Sequence, residues 1–244
     1  MTIDALQRAL RAPDTRTLSL DVFDTILLRD SSTESERLQS ASRSAARTLG
    51  VDAAALSAMR WLSHDNAYRA VRMERPHGDA RFAEICAATV APFGLGTTAA
   101  VTLRNAEIAT DAAHLSPHRA VLEVIAEARR NGRRVIAVSD IYYSAVDIAE
   151  LFARVLGAQP VDHIYTSADL GLTKHTGGIF AEVAARENTA PSQIVHVGDT
   201  LGADVERARA AGWSAVHLPR SRASNLSRVA GRVRSLPTRM RRVR

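Results

Sequence analysis

The 244-residue chain has very little of what builds cross-linked or metal-clustered scaffolds. It contains one cysteine, Cys86. A single thiol excludes an intrachain disulfide and a cysteine-based metal cluster. No apolar run approaches the roughly 18 to 20 residues needed to span a membrane. The first sixteen residues mix acids with bases and hold no apolar stretch, so no secretory signal is readable. Neither a repeat period nor a Gly/Ser linker breaks the chain. These absences lead us to expect a cytoplasmic protein.

Lysine is as scarce as cysteine. Of the 32 cationic residues only Lys174 is a lysine, and all the others are arginine. Acids are missing from the last 25 residues, Arg220 to Arg244, which carry nine arginines. The whole chain has a net charge of +6, so residues 1–219 carry −3. The body is mildly acidic, and the positive balance belongs to the tail.

What is present is a rhythm of short apolar runs and helical repeats. Residues 17–23, 133–139, 163–167, 194–197 and 215–218 read as buried strands. Residues 119–131, 146–156, 179–186 and 203–211 carry apolar residues at helical spacing, several ending at glycine. Strands alternating with helices of about ten residues imply parallel βαβ units in a doubly wound sheet. Residues 31–114 depart from this pattern. Segments 38–49, 53–72, 80–93 and 101–113 are helical in spacing, with no convincing strand between them. An all-helical insert leaving directly from the end of the first strand reads as a lid over the sheet edge; a helical layer packed on the sheet is the alternative. The expected division is a core of residues 1–30 and 115–219, a helical cap of 31–114, and a basic tail of 220–244.

Polar residues gather where the strands end. The first strand runs into Asp21-Val22-Phe23-Asp24-Thr25, and the second ends in Ser139-Asp140. The third leads through a loop to Lys174, and the fourth enters Gly198-Asp199-Thr200-Leu201-Gly202-Ala203-Asp204. In a parallel sheet the carboxyl ends of the strands share one edge. Carboxylates, a hydroxyl and an ammonium on one edge suit phosphoryl transfer, which needs an oxygen nucleophile, a divalent cation and positive charge on the phosphoryl oxygens.

This set, in this order over residues 17–219, resembles the haloacid dehalogenase-like (HAD) hydrolase superfamily. The insertion point resembles that of its type I helical caps. The spellings SLDVFDTILLR and VSDIYY look like a branch found beside glycosyltransferases. The resemblance implies a Rossmann-like α/β core and a Mg²⁺-dependent phosphatase acting on a small phosphorylated metabolite, with a sugar or glycan-pathway phosphate as one possibility. It implies Asp21 as nucleophile and Thr25 as a nearby hydrogen-bonding group. Ser139 and Lys174 would bind the phosphoryl oxygens. Asp21, the Phe23 carbonyl, Asp199 and Asp204 would hold Mg²⁺.

One position departs from the family pattern. Most phosphatases of the family carry a second aspartate two residues after the nucleophile, where this chain has Phe23. General acid–base help is worth about 10² to 10⁴ in rate. Asp24 could stand in, a cap residue such as His64 or the substrate could supply the proton, or the leaving group could need none. The protein could also be a weak catalyst that works by binding in a glycan assembly. Dehalogenases of the family carry an aromatic residue at this position, so a 2-haloacid-dehalogenase-type enzyme is the main alternative.

In the insert, His64 and Arg72 lie on one helical face and are candidates for binding an anionic substrate. His196 reads as a packed strand histidine. In the tail, Leu226, Val229, Val233, Leu236, Met240 and Val243 form an apolar stripe among arginines, interrupted by Pro237. Such a segment could lie on an anionic membrane surface or dock an acidic protein. It has no aromatic residue for stacking, which argues against specific nucleic-acid binding.

Overall fold

The computed structural model describes residues 2–220, so the apolar stripe of the tail lies outside the described residues. The chain opens with α1 (Thr2–Arg11), a helix that the sequence reading did not assign. Next come β1 (Thr17–Leu20) and, after a tight loop, β2 (Leu27–Arg29). Four helices follow: α2 (Glu34–Leu49), α3 (Ala53–Glu74), α4 (Phe82–Val90) and α5 (Thr97–Ala113). After β3 (Leu115–Pro117) the chain alternates regularly: α6 (Arg119–Arg130), β4 (Arg134–Ser139), α7 (Ala145–Leu156) and β5 (His163–Thr166). It ends with α8 (Ser167–Leu170), α9 (Gly178–Arg186), β6 (Ile194–Gly198), a wide helical turn Leu201–Glu206, α10 (Arg207–Ala210) and β7 (Ser214–His217).

Five strands form one wholly parallel sheet in the order β5-β4-β1-β6-β7. Alternation along each strand sends its side chains to opposite faces. Leu18, Leu20, Val135, Ala137, Val195 and Val197 face one apolar cluster, which continues into the inserted helices. Ile136, Val138 and Ile194 face a second, closed by Phe180, Val183 and Trp213. Burying both faces is what makes these strands read as continuous apolar runs rather than alternating ones.

The helical segment leaves and returns through a small antiparallel ladder in which Leu28 lies opposite Ser116. This ladder was not legible in the sequence, because three-residue strands carry no periodic signal. Capping boxes begin α2 at Thr33 with Glu36, and α7 at Ser144 with Asp147. The insert is tied to the sheet edge at several points. The backbone N–H of Phe82 donates to the Tyr142 carbonyl at 2.8 Å, and Ser167 Oγ donates to Asp79 at 2.7 Å. Arg104 on α5 reaches Asp147 and Glu150 on α7. Among the described residues no helix is long and apolar enough to cross a membrane.

Candidate active site

The first strand is shorter than its apolar run. The ladder ends at Leu20, and Asp21 keeps one more sheet bond, donating its N–H to Val197 O at 2.8 Å. The chain then folds back. The N–H groups of Ile26 and Leu27 both donate to Val22 O, and Asp24 takes a left-handed φ of 61°. Aspartate tolerates that region better than most residues. The turn delivers Asp21 to the sheet edge, nearly buried.

Three other strands bring their groups to the same point. Lys174 Nζ donates to Asp21 Oδ1 at 2.7 Å and to Asp204 Oδ1 at 2.5 Å. Ser139 Oγ donates to Asp21 Oδ1 at 3.3 Å. Carboxylate oxygens of Asp21, Asp199 and Asp204 lie within 4.8 Å of one another. Gly198 makes this approach possible: a Cβ there would collide with the Asp204 carboxylate. A cavity of about 300 Å³ opens over the cluster, with Phe23, Asp24, Arg29, Asp140 and Arg220 also in its walls.

The electrostatics follow from burial and pairing. Burial penalises charge on Asp21 and Asp204 adds repulsion; together they outweigh the attraction of Lys174, and the Asp21 pKa is raised to about 7. Burial opposes the charge of Lys174 as well. There the pull of Asp21, Asp204 and Asp140 wins, and the ammonium pKa stands above its ordinary value. For Asp204, burial is overcome by Lys174 and His196, and its pKa falls below the carboxylate range. Burial raises that of Asp199, partly offset by Arg220.

Several expectations need adjusting. Thr25 is fully buried in the turn, but its Oγ1 makes no hydrogen bond with any described residue. The nucleophile's own oxygen, Asp21 Oδ1, accepts from Ser139 and Lys174. Asp24 lines the cavity with its carboxylate already engaged: Oδ1 accepts the Arg29 N–H at 3.3 Å, and Oδ2 lies 3.2 Å from Arg220 Nε. Arg72 is exposed on α3 and lies outside the cavity walls, because α3 turns that position to solvent. His64 does reach a cavity. It lines a second space of about 380 Å³ with Glu34, Arg37 and Tyr68, which meets the first along Arg29, Asp140 and Ile141.

Four supporting groups were not assigned from the sequence. Asp140 accepts the backbone N–H groups of Lys174 at 2.6 Å and His175 at 3.1 Å, which holds the lysine loop. Its place directly after Ser139 was the only signal. His196 is fully buried and bridges Ser19 Oγ at 2.8 Å to Asp204 Oδ1 at 3.3 Å. Burial lowers its pKa, so at neutral pH it is uncharged and acts as a strut for Asp204. Arg29 stacks on Phe23, 4.2 Å from the ring centroid. Arg220, the first residue of the assigned tail, pairs with Asp199 at 2.6 Å and so belongs to the site.

Comparison with known proteins agrees with this architecture. The pattern of the haloacid dehalogenase-like hydrolases matches residues 15–212, and the chain belongs to that family. No curated protein sequence matches it. Among solved structures it is similar to a 2-haloacid dehalogenase from Pseudomonas syringae pv. Tomato, at 17% identity and a TM-score of 0.55, over 82% of this chain and 85% of that one. An L-2-haloacid dehalogenase from Xanthobacter autotrophicus gives 15% and 0.52, over 88% and 82%. The HAD-hydrolase YfnB from Bacillus subtilis, solved with magnesium bound, gives 17% and 0.52, over 82% and 87%. At these identities the likeness establishes the fold: a Rossmann-like HAD core.

Proposed function

We propose that the protein is a phosphatase that transfers a phosphoryl group to Asp21 and then to water. The observation that carries this reading is the third carboxylate. Asp21 and Asp204 share Lys174, and Asp199 stands beside them within 4.8 Å. Carboxylates brought this close are costly unless cations neutralise them, and here Lys174 and Arg220 supply two positive charges against Asp21, Asp24, Asp199 and Asp204. The donor set is all oxygen, which fits a hard cation such as Mg²⁺ held by Asp21, the Phe23 carbonyl and Asp199, with Asp204 orienting the sphere. When bound, Mg²⁺ would neutralise phosphoryl charge in the transition state.

The chain's own groups have separate tasks. An oxygen of Asp21 attacks phosphorus. Lys174 holds Asp21 in place and offers positive charge to the phosphoryl oxygens, while Ser139 donates to one of them. Asp140 and His196 position Lys174 and Asp204. The substrate is a small phosphorylated metabolite, and the resemblance to the glycosyltransferase-associated branch places sugar phosphates on the panel to test. We place the protein in the cytoplasm and propose that its basic tail docks an anionic membrane surface or an acidic protein.

A 2-haloacid dehalogenase is the second reading. Phe23 favours it, and so do the names of the structural neighbours. There Asp21 would attack carbon, halide would leave, and water would hydrolyse the resulting ester, with no use for Asp199 as a metal ligand. The purified protein assayed with Mg²⁺ and with chelator separates the two. Phosphate release that needs Mg²⁺ is expected. Chelator-insensitive halide release from 2-chloropropionate, with no phosphate release, would replace the phosphatase reading.

A further inference from the structure

Among the described residues, no side chain in the walls of the cavity over Asp21 is placed to protonate a leaving group. Phe23 stands two residues from the nucleophile, with its ring under Arg29. Asp24 accepts from the Arg29 N–H and pairs with Arg220. Asp140 uses both oxygens to hold the loop of Lys174 and His175. Lys174 Nζ already donates to Asp21 Oδ1 and Asp204 Oδ1. Neither histidine nor tyrosine lines this cavity among the described residues. The wall offers cations instead: Arg29 and Arg220, whose guanidiniums do not give up a proton in the working range of a protein.

Resting on the phosphatase reading, we infer that the substrates are acyl phosphates, mixed anhydrides of a carboxylic and a phosphoric acid, and that Arg29 receives the departing carboxylate. The chemistry suits the walls. An Asp21 oxygen forms a bond to phosphorus as the bond from phosphorus to the acyl oxygen breaks. The electron pair of that bond stays with the carboxylate, which leaves with its negative charge and no proton. A carboxylic acid has a pKa of about 4, so its anion is a good leaving group at neutral pH. An alkyl phosphate would expel an alkoxide, which needs a proton in the transition state. The product of the first step, a phosphorylated aspartate, is itself an acyl phosphate, so the phosphoryl group passes between two carboxylates of similar basicity. Water then attacks phosphorus, Asp21 leaves as carboxylate, and the water's proton goes to the released phosphate or to solvent.

Geometry assigns the acyl end to Arg29. Its guanidinium carbon sits over the Phe23 ring, 4.2 Å from the centroid, with an oxygen of Asp111 3.8 Å away. It lines both the reaction cavity and the adjoining space beneath the helical insert. A planar fork in that position suits a carboxylate approached edge-on. The acyl chain would extend toward His64 and Tyr68.

The test is the dependence of kcat/KM on leaving group, using acetyl, p-nitrophenyl, phenyl and methyl phosphates with Mg²⁺ and with spontaneous hydrolysis subtracted. The expected result is a steep fall with rising leaving-group pKa, with acetyl phosphate at least about 10³-fold above methyl phosphate. Phe23→Asp should raise turnover of the alkyl ester by about 10² to 10⁴ and flatten the series. Arg29→Gln should cost acetyl phosphate about tenfold more than p-nitrophenyl phosphate. Methyl and acetyl phosphate hydrolysed within tenfold of each other by the unaltered protein would overturn this inference and leave the phosphatase reading standing. No phosphate release from any member would overturn both. The series on unaltered protein decides the matter even if a variant fails to fold.

Discussion

At the scale of single residues, Lys174 carries the most information. It is the only lysine in an arginine-rich chain, and it lies almost fully buried between Asp21 and Asp204. A compact ammonium with three rotatable donors bridges two oxygens at 2.5 and 2.7 Å, where a planar guanidinium would need a wider slot. Lys174→Arg is therefore expected to lower kcat by about 10²-fold or more, in the range of losing one preorganised electrostatic contact. Turnover within a few-fold of the unaltered protein would show that charge alone suffices there. Asp21, Ser139 and Asp199 stand out in the sequence at strand ends, and Lys174 and Asp204 in the segments that follow strands; the structure brings all five together, while their roles rest on the family resemblance. His196 does not stand out, because a histidine inside an apolar strand looks the same whether it packs or braces a carboxylate. By charge Arg220 groups with the tail, since a charge count carries no position and does not show its pairing with Asp199.

At the scale of elements, the strands and most helices follow from periodicity, and the differences lie at their ends. The first apolar run reads to Phe23, but the strand stops at Leu20 because the backbone of Val22 is used to close a turn. The helix expected over 203–211 is a wide turn from Leu201 followed by a short α-helix, and the Thr200 N–H donates to Asp204 Oδ2 at 2.8 Å where it begins. The inserted helices contain a feature that no pattern exposes. Arg60 on α3 makes a two-pronged ion pair with Glu107 on α5, at 2.6 and 2.9 Å, with both side chains buried. Burial pushes the Glu107 pKa up against the pull of Arg60, so the carboxylate depends on its partner. Arg60→Ala should cost about 3 to 5 kcal/mol by stranding that charge. The double variant Arg60→Met with Glu107→Leu should recover most of it. Urea unfolding measures both, and a loss below about 1 kcal/mol in the single variant would show that Glu107 finds water or another donor.

At the scale of the whole molecule, the charge is sorted along the strands. Asp21, Asp24, Asp140, Asp199 and Asp204 gather at the carboxyl edge. Arg16, Arg133, Arg134 and Arg186 line a concavity at the opposite edge, where Arg134 pairs with Glu187. The net charge of the body conceals this polarity, because a sum carries no position. Asp21 lies at the acidic edge, and two proposed reactions compete for it. Attack on phosphorus and attack on carbon both begin at Asp21, but they differ in where water enters. A single turnover in H₂¹⁸O, read by mass spectrometry of the released product and of the peptide bearing Asp21, distinguishes them. The expected result is ¹⁸O in the inorganic phosphate and an unlabelled Asp21, because water attacks phosphorus. An Asp21 carboxylate that gains ¹⁸O after turnover of a 2-haloacid would contradict it, because water would then have attacked the carbonyl carbon of an aspartyl ester.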